Sequence, residues 1–306
     1  MEESRLQFIV SVISGLPRRC APRNDVAIHI VIMTLLPIET TDDFLLAEKF
    51  LLPHEETCAS LASLVRRKTD KLIFLKNGKA IAGILNLDST IYHCIPDTKL
   101  IDKIALLENL PYLLKKPVRC ISGEAESTKY LINFFPNPAQ LYDYKMMKFP
   151  VPSASTENEA ISISGGEEII RCTEHDMELL HPLQKDYMKE EVAVPGRTLS
   201  DAEVDISLRQ ILKNQLCFAL TVDGEIVAKA NTNAIGINCV QIGGVYTHPL
   251  YRRNGYAGAL VQALCKRAIR SGKHPVLFVK EKNTPAFNLY QKLGFEECGR
   301  YTIAYY

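Results

Sequence analysis

Two stretches of the chain, LIFLKNGKAIAG at 72–83 and FALTVDGEIVAK at 218–229, follow one plan: an apolar run, an Asn-Gly or Asp-Gly pair, and a second apolar run. Each is a β-hairpin signal, because Asn-Gly and Asp-Gly tolerate the positive φ angles of a two-residue type I′ turn. The correspondence continues downstream. PVRCIS at 117–122 precedes a helical stretch and then the aromatic strand YDYKMMKF at 142–149, while PVLFVK at 275–280 precedes a helix and then RYTIAYY at 300–306. The offset stays near about 150 residues, so an internal duplication constrains the architecture before any single element does. The expected class is α/β (α+β): two tandem halves, each a mixed, mostly antiparallel twisted sheet flanked by helices.

The length of 306 residues suits two such domains. VPSASTENEAISISGG, residues 151–166, is rich in Ser, Glu and Gly and poor in large apolar side chains, and is read as the linker between halves at 33–150 and 167–306. The first 32 residues, with the run LPRRCAPRNDVAIH, resemble a translated intergenic repeat, which makes Met33 a candidate start and leaves 1–32 an extension without assigned function. The second half opens with a strand near Glu168–Arg171. Thr173 and Asp176 then form a capping box. Later come the hairpin, a strand at Val240–Thr247, a helix, a strand, a helix and the terminal strand.

Composition excludes several classes. With 36 Lys plus Arg against 35 Asp plus Glu, the formal charge of +1 argues against a bulk electrostatic nucleic-acid binder. No stretch approaches the ~18 consecutive apolar residues of a membrane span, and Phe8–Ile13 has acidic Glu2 and Glu3 before it where a signal peptide needs basic residues. Nine scattered cysteines without a C-x-x-C pair read as small buried hydrophobes in a reducing, cytoplasmic setting. No metal is expected. His175 and His181 are wrongly spaced to share one on a helix face, and His54-Glu55 has no second His at the zincin spacing.

The chemistry concentrates in GGVYTHPLYRRNGYAGALVQAL, residues 243–264. A strand ends at His248-Pro249, and a loop holding Arg252, Arg253, Asn254, Gly255, Tyr256, Ala257 and Gly258 opens a helix. Its apolar residues Ala257, Leu260, Val261, Leu264, Cys265, Ala268 and Ile269 define one buried face, and Gly272 ends it. The first N–H groups of a helix lack intrahelical partners and carry partial positive charge, and the small residues leave them open to an anion. This is a phosphate cradle, though neither a Walker loop nor a G-x-G-x-x-G dinucleotide turn. A tight strand-to-helix turn that binds nothing is the alternative while the loop stands alone.

A second segment accompanies it: Asn283-Thr-Pro-Ala286-Phe-Asn-Leu-Tyr290-Gln-Lys-Leu-Gly294-Phe295. Asn283 is a good N-cap, Pro285 suits the first turn, and Gly294 is a stop. Arg252-x-x-Gly255-x-Ala257 resembles the pyrophosphate-binding motif of the GNAT acyltransferases, and the second segment resembles that family's other signature. The resemblance covers roughly 166–306; the first half shares only the hairpin and strand pattern. It implies an N-acetyltransferase that moves an acetyl group from acetyl-CoA, the cosubstrate, to a primary amine of unknown identity. The thioester would enter between strands 240–247 and 275–280, with Val245, Tyr246, Thr247, Arg252–Gly258, Asn283, Ala286 and Tyr290 along the cofactor.

The resemblance also implies that Tyr290 protonates the departing thiolate; by its helical position alone it is a packing residue. Glu190 and Glu191, before the Val-Pro-Gly break, are the candidate bases, with Glu281 as rival, and a Lys-Glu-Glu run is otherwise a solvated helix face. His248 is read as a residue that helps position the loop. The first half has no glycine between Ser89 and Lys116 and is expected to be degenerate, without a cradle. The partners expected are therefore acetyl-CoA and an amine, with neither nucleic acid nor membrane, and the reading admits a homodimer. A non-catalytic CoA-binding sensor of the same fold is the alternative, and a nucleotide-phosphate enzyme using the same loop is a third.

Overall fold

The computed structural model describes residues 33–103, 106, 110, 112–150, 166–193 and 198–306. The expected extension at 1–32 and all of the expected linker but Gly166 lie outside them. The first half runs β1 (Met33–Pro37), α1 (Thr41–Leu51), α2 (Glu55–Arg66), β2 (Leu72–Asn77), β3 (Ala80–Asn86), β4 (Thr90–Cys94), β5 (Cys120–Glu124), α3 (Ala125–Ile132) and β6 (Gln140–Lys148). The second runs β7 (Glu167–Arg171), α4 (Met177–Tyr187), α5 (Asp201–Asn214), β8 (Cys217–Val222), β9 (Glu225–Ile235), β10 (Cys239–Thr247), α6 (Tyr256–Arg270), β11 (His274–Lys280), α7 (Thr284–Lys292) and β12 (Glu296–Tyr305). The six strands follow the same order in both, as do the helix pairs before β2 and β8 and the single helices α3 and α7 before the last strands, which is the duplication read from the hairpins.

All twelve strands form one sheet, in the order β1-β2-β3-β4-β5-β12-β6-β11-β10-β9-β8-β7. The last strand of each half has crossed into the other. β12 lies antiparallel between β5 and β6, and β6 lies antiparallel between β12 and β11. Burial follows the exchange. Met147, at the end of β6, and Phe149 just beyond it pack with Leu260, Val261 and Leu264 of α6 in the second half's core, whereas Ala304 of β12 packs with Ile91 and Ile121 in the first half's core. Helices cover both faces: Leu72 and Phe74 of β2 pack with Leu61, Ala62 and Val65 of α2, whereas Ile73 and Leu75, on the other face, share a core with Leu131 of α3.

A second seam lies between α2 and the β9–β10 turn. Glu55 is 2% exposed, and its carboxylate accepts the backbone N–H groups of Ile237 and Asn238. Arg66 donates to the Ile235 carbonyl at 3.0 Å, and Lys273 donates to the Gly236 carbonyl at 2.9 Å. Charged side chains thus satisfy backbone groups of a half-buried turn that lack partners in the sheet.

The two hairpins differ in detail. Val222 pairs with Glu225, so Asp223 (φ 49°) and Gly224 (φ 86°) are the two turn residues with the positive φ expected of type I′. In the first half Asn77 itself pairs with Ala80, so the turn is Gly78-Lys79 rather than Asn77-Gly78, and only Gly78 has positive φ. The capping box predicted at Thr173 and Asp176 is present, closing a short turn that runs into α4.

Candidate active site

β10 and β11 are parallel neighbours, but their pairing runs only from Cys239↔His274 to Ile242↔Leu277. On its other side β10 carries a bulge: Gly243 faces Asn231 and Tyr246 faces Lys229, so one residue is extra. Two glycines make the bulge feasible. Gly244 has φ 58°, and a Cβ on Gly243 or Gly244 would collide with the side chain of Asn233 or Asn231. Beyond the bulge the strands part, and a cleft of about 1030 Å³ opens between them.

At one end of the cleft stands the loop into α6. Gly255 is the N-cap at φ 83°, so the chain turns with no side chain over the helix end, and a Cβ there would meet nothing within 4 Å. Gly255, Tyr256, Ala257 and Gly258 all border the cleft, which leaves the first N–H groups of α6 facing it. Val245, Tyr246, Thr247, Arg252, Arg253, Asn283, Ala286 and Tyr290 border it too, so the structure brings together the residues expected along the cofactor, apart from Asn254. Asn254 instead donates to the Tyr251 carbonyl at 3.2 Å. The Tyr246 and Tyr256 hydroxyls are committed elsewhere, to Glu190 and Glu167 respectively, each at 2.6 Å. Asn283 caps α7 by accepting the N–H of Ala286 at 3.2 Å.

The two glutamates have separate surroundings. Glu190 accepts from Tyr246 and, at 2.8 Å, from Arg252, whose Nε also donates to the Thr247 carbonyl at 3.1 Å. Partial desolvation works to raise the Glu190 carboxyl, but those two hydrogen bonds outweigh it and hold the carboxyl below its ordinary range. Glu191 turns the other way, to Lys280 at 3.1 Å, and its charge is felt by the buried hydroxyls of Tyr290, Tyr187 and Tyr144. Lys280 also sits over the Tyr142 ring at 4.9 Å. Glu281 pairs with Arg300 at 3.3 Å and does not border the cleft.

Tyr290 is 7% exposed, with its ring against Phe295 and one edge on the cleft. Burial pushes its hydroxyl well above the ordinary tyrosine value, so the group keeps its proton. His248 donates its backbone N–H to the Val227 carbonyl, and its ring meets Tyr251 edge-on beside the loop.

Several cleft residues were not legible in the sequence: Tyr144 of β6, Tyr187 of α4, Lys280 of β11, and Ile303 and Tyr305 of β12. Tyr144 belongs to the first half and reaches the second half's cleft only through the strand exchange. The one available signal was the unusual density of tyrosines in both terminal strands.

The matching place in the first half is filled. β4 and β5 pair from Thr90↔Cys120 to Tyr92↔Ser122, and beyond that pair the His93 ring lies where a Cβ on Gly123 would be. His93 meets the Thr128 hydroxyl at 2.9 Å, and Ser127 donates to the Ile95 carbonyl at 2.8 Å. These contacts tie α3 across the ends of both strands.

Parted parallel strands, a bulge, and an open helix N-terminus define an acyltransferase-type α/β fold. Residues 180–295 match the model of the Acetyltransferase (GNAT) family, so the second half carries a GNAT acetyltransferase domain. Solved structures agree on the fold. A tandem GNAT protein from the clavulanic acid biosynthesis pathway, determined without AcCoA, is similar with a TM-score of 0.57 at 9% identity, over 90% of this chain and 98% of its own. GNAT-family acetyltransferases from Colwellia psychrerythraea (TM-score 0.54, 12% identity, 89% and 99% covered) and Sphaerobacter thermophilus (0.54, 15%, 88% and 94%) are similar to the same extent. No curated protein matches the chain in sequence. Among the described residues no helix is long and apolar enough to cross a membrane, and no cluster of His, Cys, Asp or Glu could hold a metal ion.

Proposed function

We propose that the chain is an N-acetyltransferase that moves an acetyl group from acetyl-CoA to a primary amine in the cleft of its second half. The observation that carries this reading is the continuity of one cleft from the α6 N-terminus, between the parted strands, to the Tyr290 side chain. The donor set suits the cosubstrate. Unpaired N–H groups and an N-cap glycine with empty space above it fit a pyrophosphate, and the gap between β10 and β11 fits the narrow arm that bears the thioester.

The amine nitrogen attacks the thioester carbon, forming a C–N bond. As the tetrahedral intermediate collapses, the C–S bond breaks and its electron pair leaves on sulfur. Tyr290, protonated because it is buried, supplies the proton to that sulfur. The proton lost by the attacking nitrogen goes to Glu191, directly or through water: Lys280 meets one of its oxygens, whereas Tyr246 and Arg252 occupy both oxygens of Glu190. Amine and catalytic groups meet beside β6 and β12, which makes the acceptor end a joint product of both halves. A cytoplasmic setting accords with the eight described cysteines, all free thiols.

The test is release of free CoA thiol from acetyl-CoA across a panel of primary amines, alongside calorimetric titration with CoA. Turnover with at least one amine supports the transferase. Tight binding with no turnover anywhere in the panel would instead support a CoA sensor, and tighter binding of ATP or NAD than of CoA would sink both.

A further inference from the structure

Lys229 lies in the middle of β9 with 0% of its surface exposed. No carboxylate among the described residues pairs with it. Its ammonium donates instead to the Gly244 carbonyl at 3.0 Å and to Asn231 Oδ1 at 3.3 Å, and sits 4.8 Å from the centre of the Tyr187 ring. A lone buried ammonium is costly, and an apolar side chain of similar length would fill the space at lower cost. What this one touches is the bulge of β10, at the residue where the strands begin to part.

The peptide joining Gly244 to Val245 is trans, like every described peptide bond, so its C=O and N–H point in opposite directions. With the carbonyl held toward β9 by Lys229, the Val245 N–H points away from β9. On that side β11 has already diverged, and Val245 borders the cleft. A cation on the carbonyl oxygen also polarises the peptide and makes its N–H a stronger donor.

We propose that Lys229 is a positioning residue for the acyl group: by holding the Gly244 carbonyl it fixes the Val245 N–H in the gap between β10 and β11, to donate to the thioester carbonyl oxygen. The inference rests on the acetyl-CoA reading above. When the amine attacks, the carbonyl electron pair moves onto that oxygen, and a donor already in place stabilises the developing charge without reorganising. Lys229 gives up no proton and forms no bond. Asn231 and Tyr187, whose hydroxyl reaches the Gly244 backbone, hold the ammonium and the bulge in register.

The experiment uses the full chain and acetyl-CoA labelled with carbon-13 at the thioester carbonyl. On the wild type the bound carbonyl resonance should move downfield of the free compound. In Lys229→Met at least about half of that displacement should vanish and turnover should fall roughly tenfold, while CoA affinity stays within about threefold. A folded K229M that keeps the full displacement overturns the proposal, as does a wild type that binds acetyl-CoA with no displacement. A wild type that does not bind acetyl-CoA overturns the acetyl-CoA reading itself, and this inference with it.

Should K229M not fold, the wild type carries the test alone. Burial lowers the Lys229 ammonium to about 8, and the titratable groups facing it are Cys217 of β8, Cys172 before α4, and Tyr187 of α4, with Asp176 acting on the two thiols. The displacement should shrink as pH rises from about 7 to about 9.5 and the ammonium becomes a neutral amine. A displacement constant across that range overturns the proposal.

Discussion

Tyr290 and Glu191 border the same cleft, and the proposed reaction gives them opposite duties, the first as proton donor and the second as acceptor. Tyr290→Phe keeps the ring against Phe295 and removes only the donor, so turnover should fall roughly 10²-fold with CoA affinity little changed. A near-normal rate in that variant would leave Tyr290 a packing residue. The adjacent carboxylates should part company in the same assay. Glu191→Gln should lower the maximal rate at least about tenfold, whereas Glu190→Gln should act mainly through Arg252, on the KM for acetyl-CoA. In the first half, burial pushes the His93 ring down to about 4, against about 6.5 when unfolded. The unfolded chain therefore binds the proton first as pH falls. Stability is full above about 6.5 and declines toward about 4, by on the order of 3 kcal/mol in the limit. Denaturant midpoints at several pH values should show this slope in the wild type and a shallower one in His93→Gln. Of these residues, Tyr290 was singled out by its signature and Glu191 only as one of a pair, and the structure puts both on the cleft. His93, like Lys229, has no local pattern at all: its role comes from what a neighbouring strand and helix place around it.

At the scale of the element, the loop into α6 was legible because its chemistry is local. Small residues and a helix start are both written in consecutive positions, and so is the glycine at positive φ. That last property complicates the obvious test. Gly255→Val should weaken CoA binding several-fold by covering the helix end, but a β-branched residue at φ 83° is also strained, by about 1–2 kcal/mol. Gly224, at φ 86° in the β8–β9 turn and without neighbours within 4 Å, offers the matched control. Thermal unfolding should fall similarly in Gly224→Val and Gly255→Val, while calorimetry should register an affinity loss in the second alone. Equal CoA affinity in both variants would remove the cradle assignment. The hairpin turns show the limit of such local reading. Asp223-Gly224 sits where the dipeptide rule puts it, but in the first half the register slips by one residue, because Asn77 is held in the ladder opposite Ala80.

Across the whole molecule, the sequence showed two halves but not their exchange of strands, because a terminal strand reads the same whichever sheet receives it. The exchange was decided by long-range pairing, of β6 with β11 and of β12 with β5. Since β10 and β11 part into a cleft while His93 and α3 close the matching place between β4 and β5, calorimetric titration should give one CoA per chain. The exchange and the Glu55 seam further predict that the halves unfold as one. Glu55→Ala removes a buried carboxylate that accepts the Ile237 and Asn238 N–H groups, at a cost of about 3 kcal/mol. Scanning calorimetry should show a single transition displaced to lower temperature, and two resolved transitions would contradict the seam. Residues 160–306 alone would lack β6, leaving β11 without its antiparallel neighbour, so that fragment is not expected to fold as a binding unit.

The position of β12 also orders events during synthesis. The gap between β5 and β6 cannot be filled until Glu296–Tyr305 has left the ribosome, by which time the strands on either side of that gap have long been available. Until then the nascent chain presents two unpaired edges, both suited to capture any extended segment nearby. The end of the cleft assigned above to the proposed amine, walled by Tyr144 on one of those edges and by Ile303 and Tyr305 of the late strand, comes into being only at that moment. A chain interrupted before Glu296 would therefore carry the whole loop into α6 and the Asn283–Phe295 segment but lack one wall of the cleft.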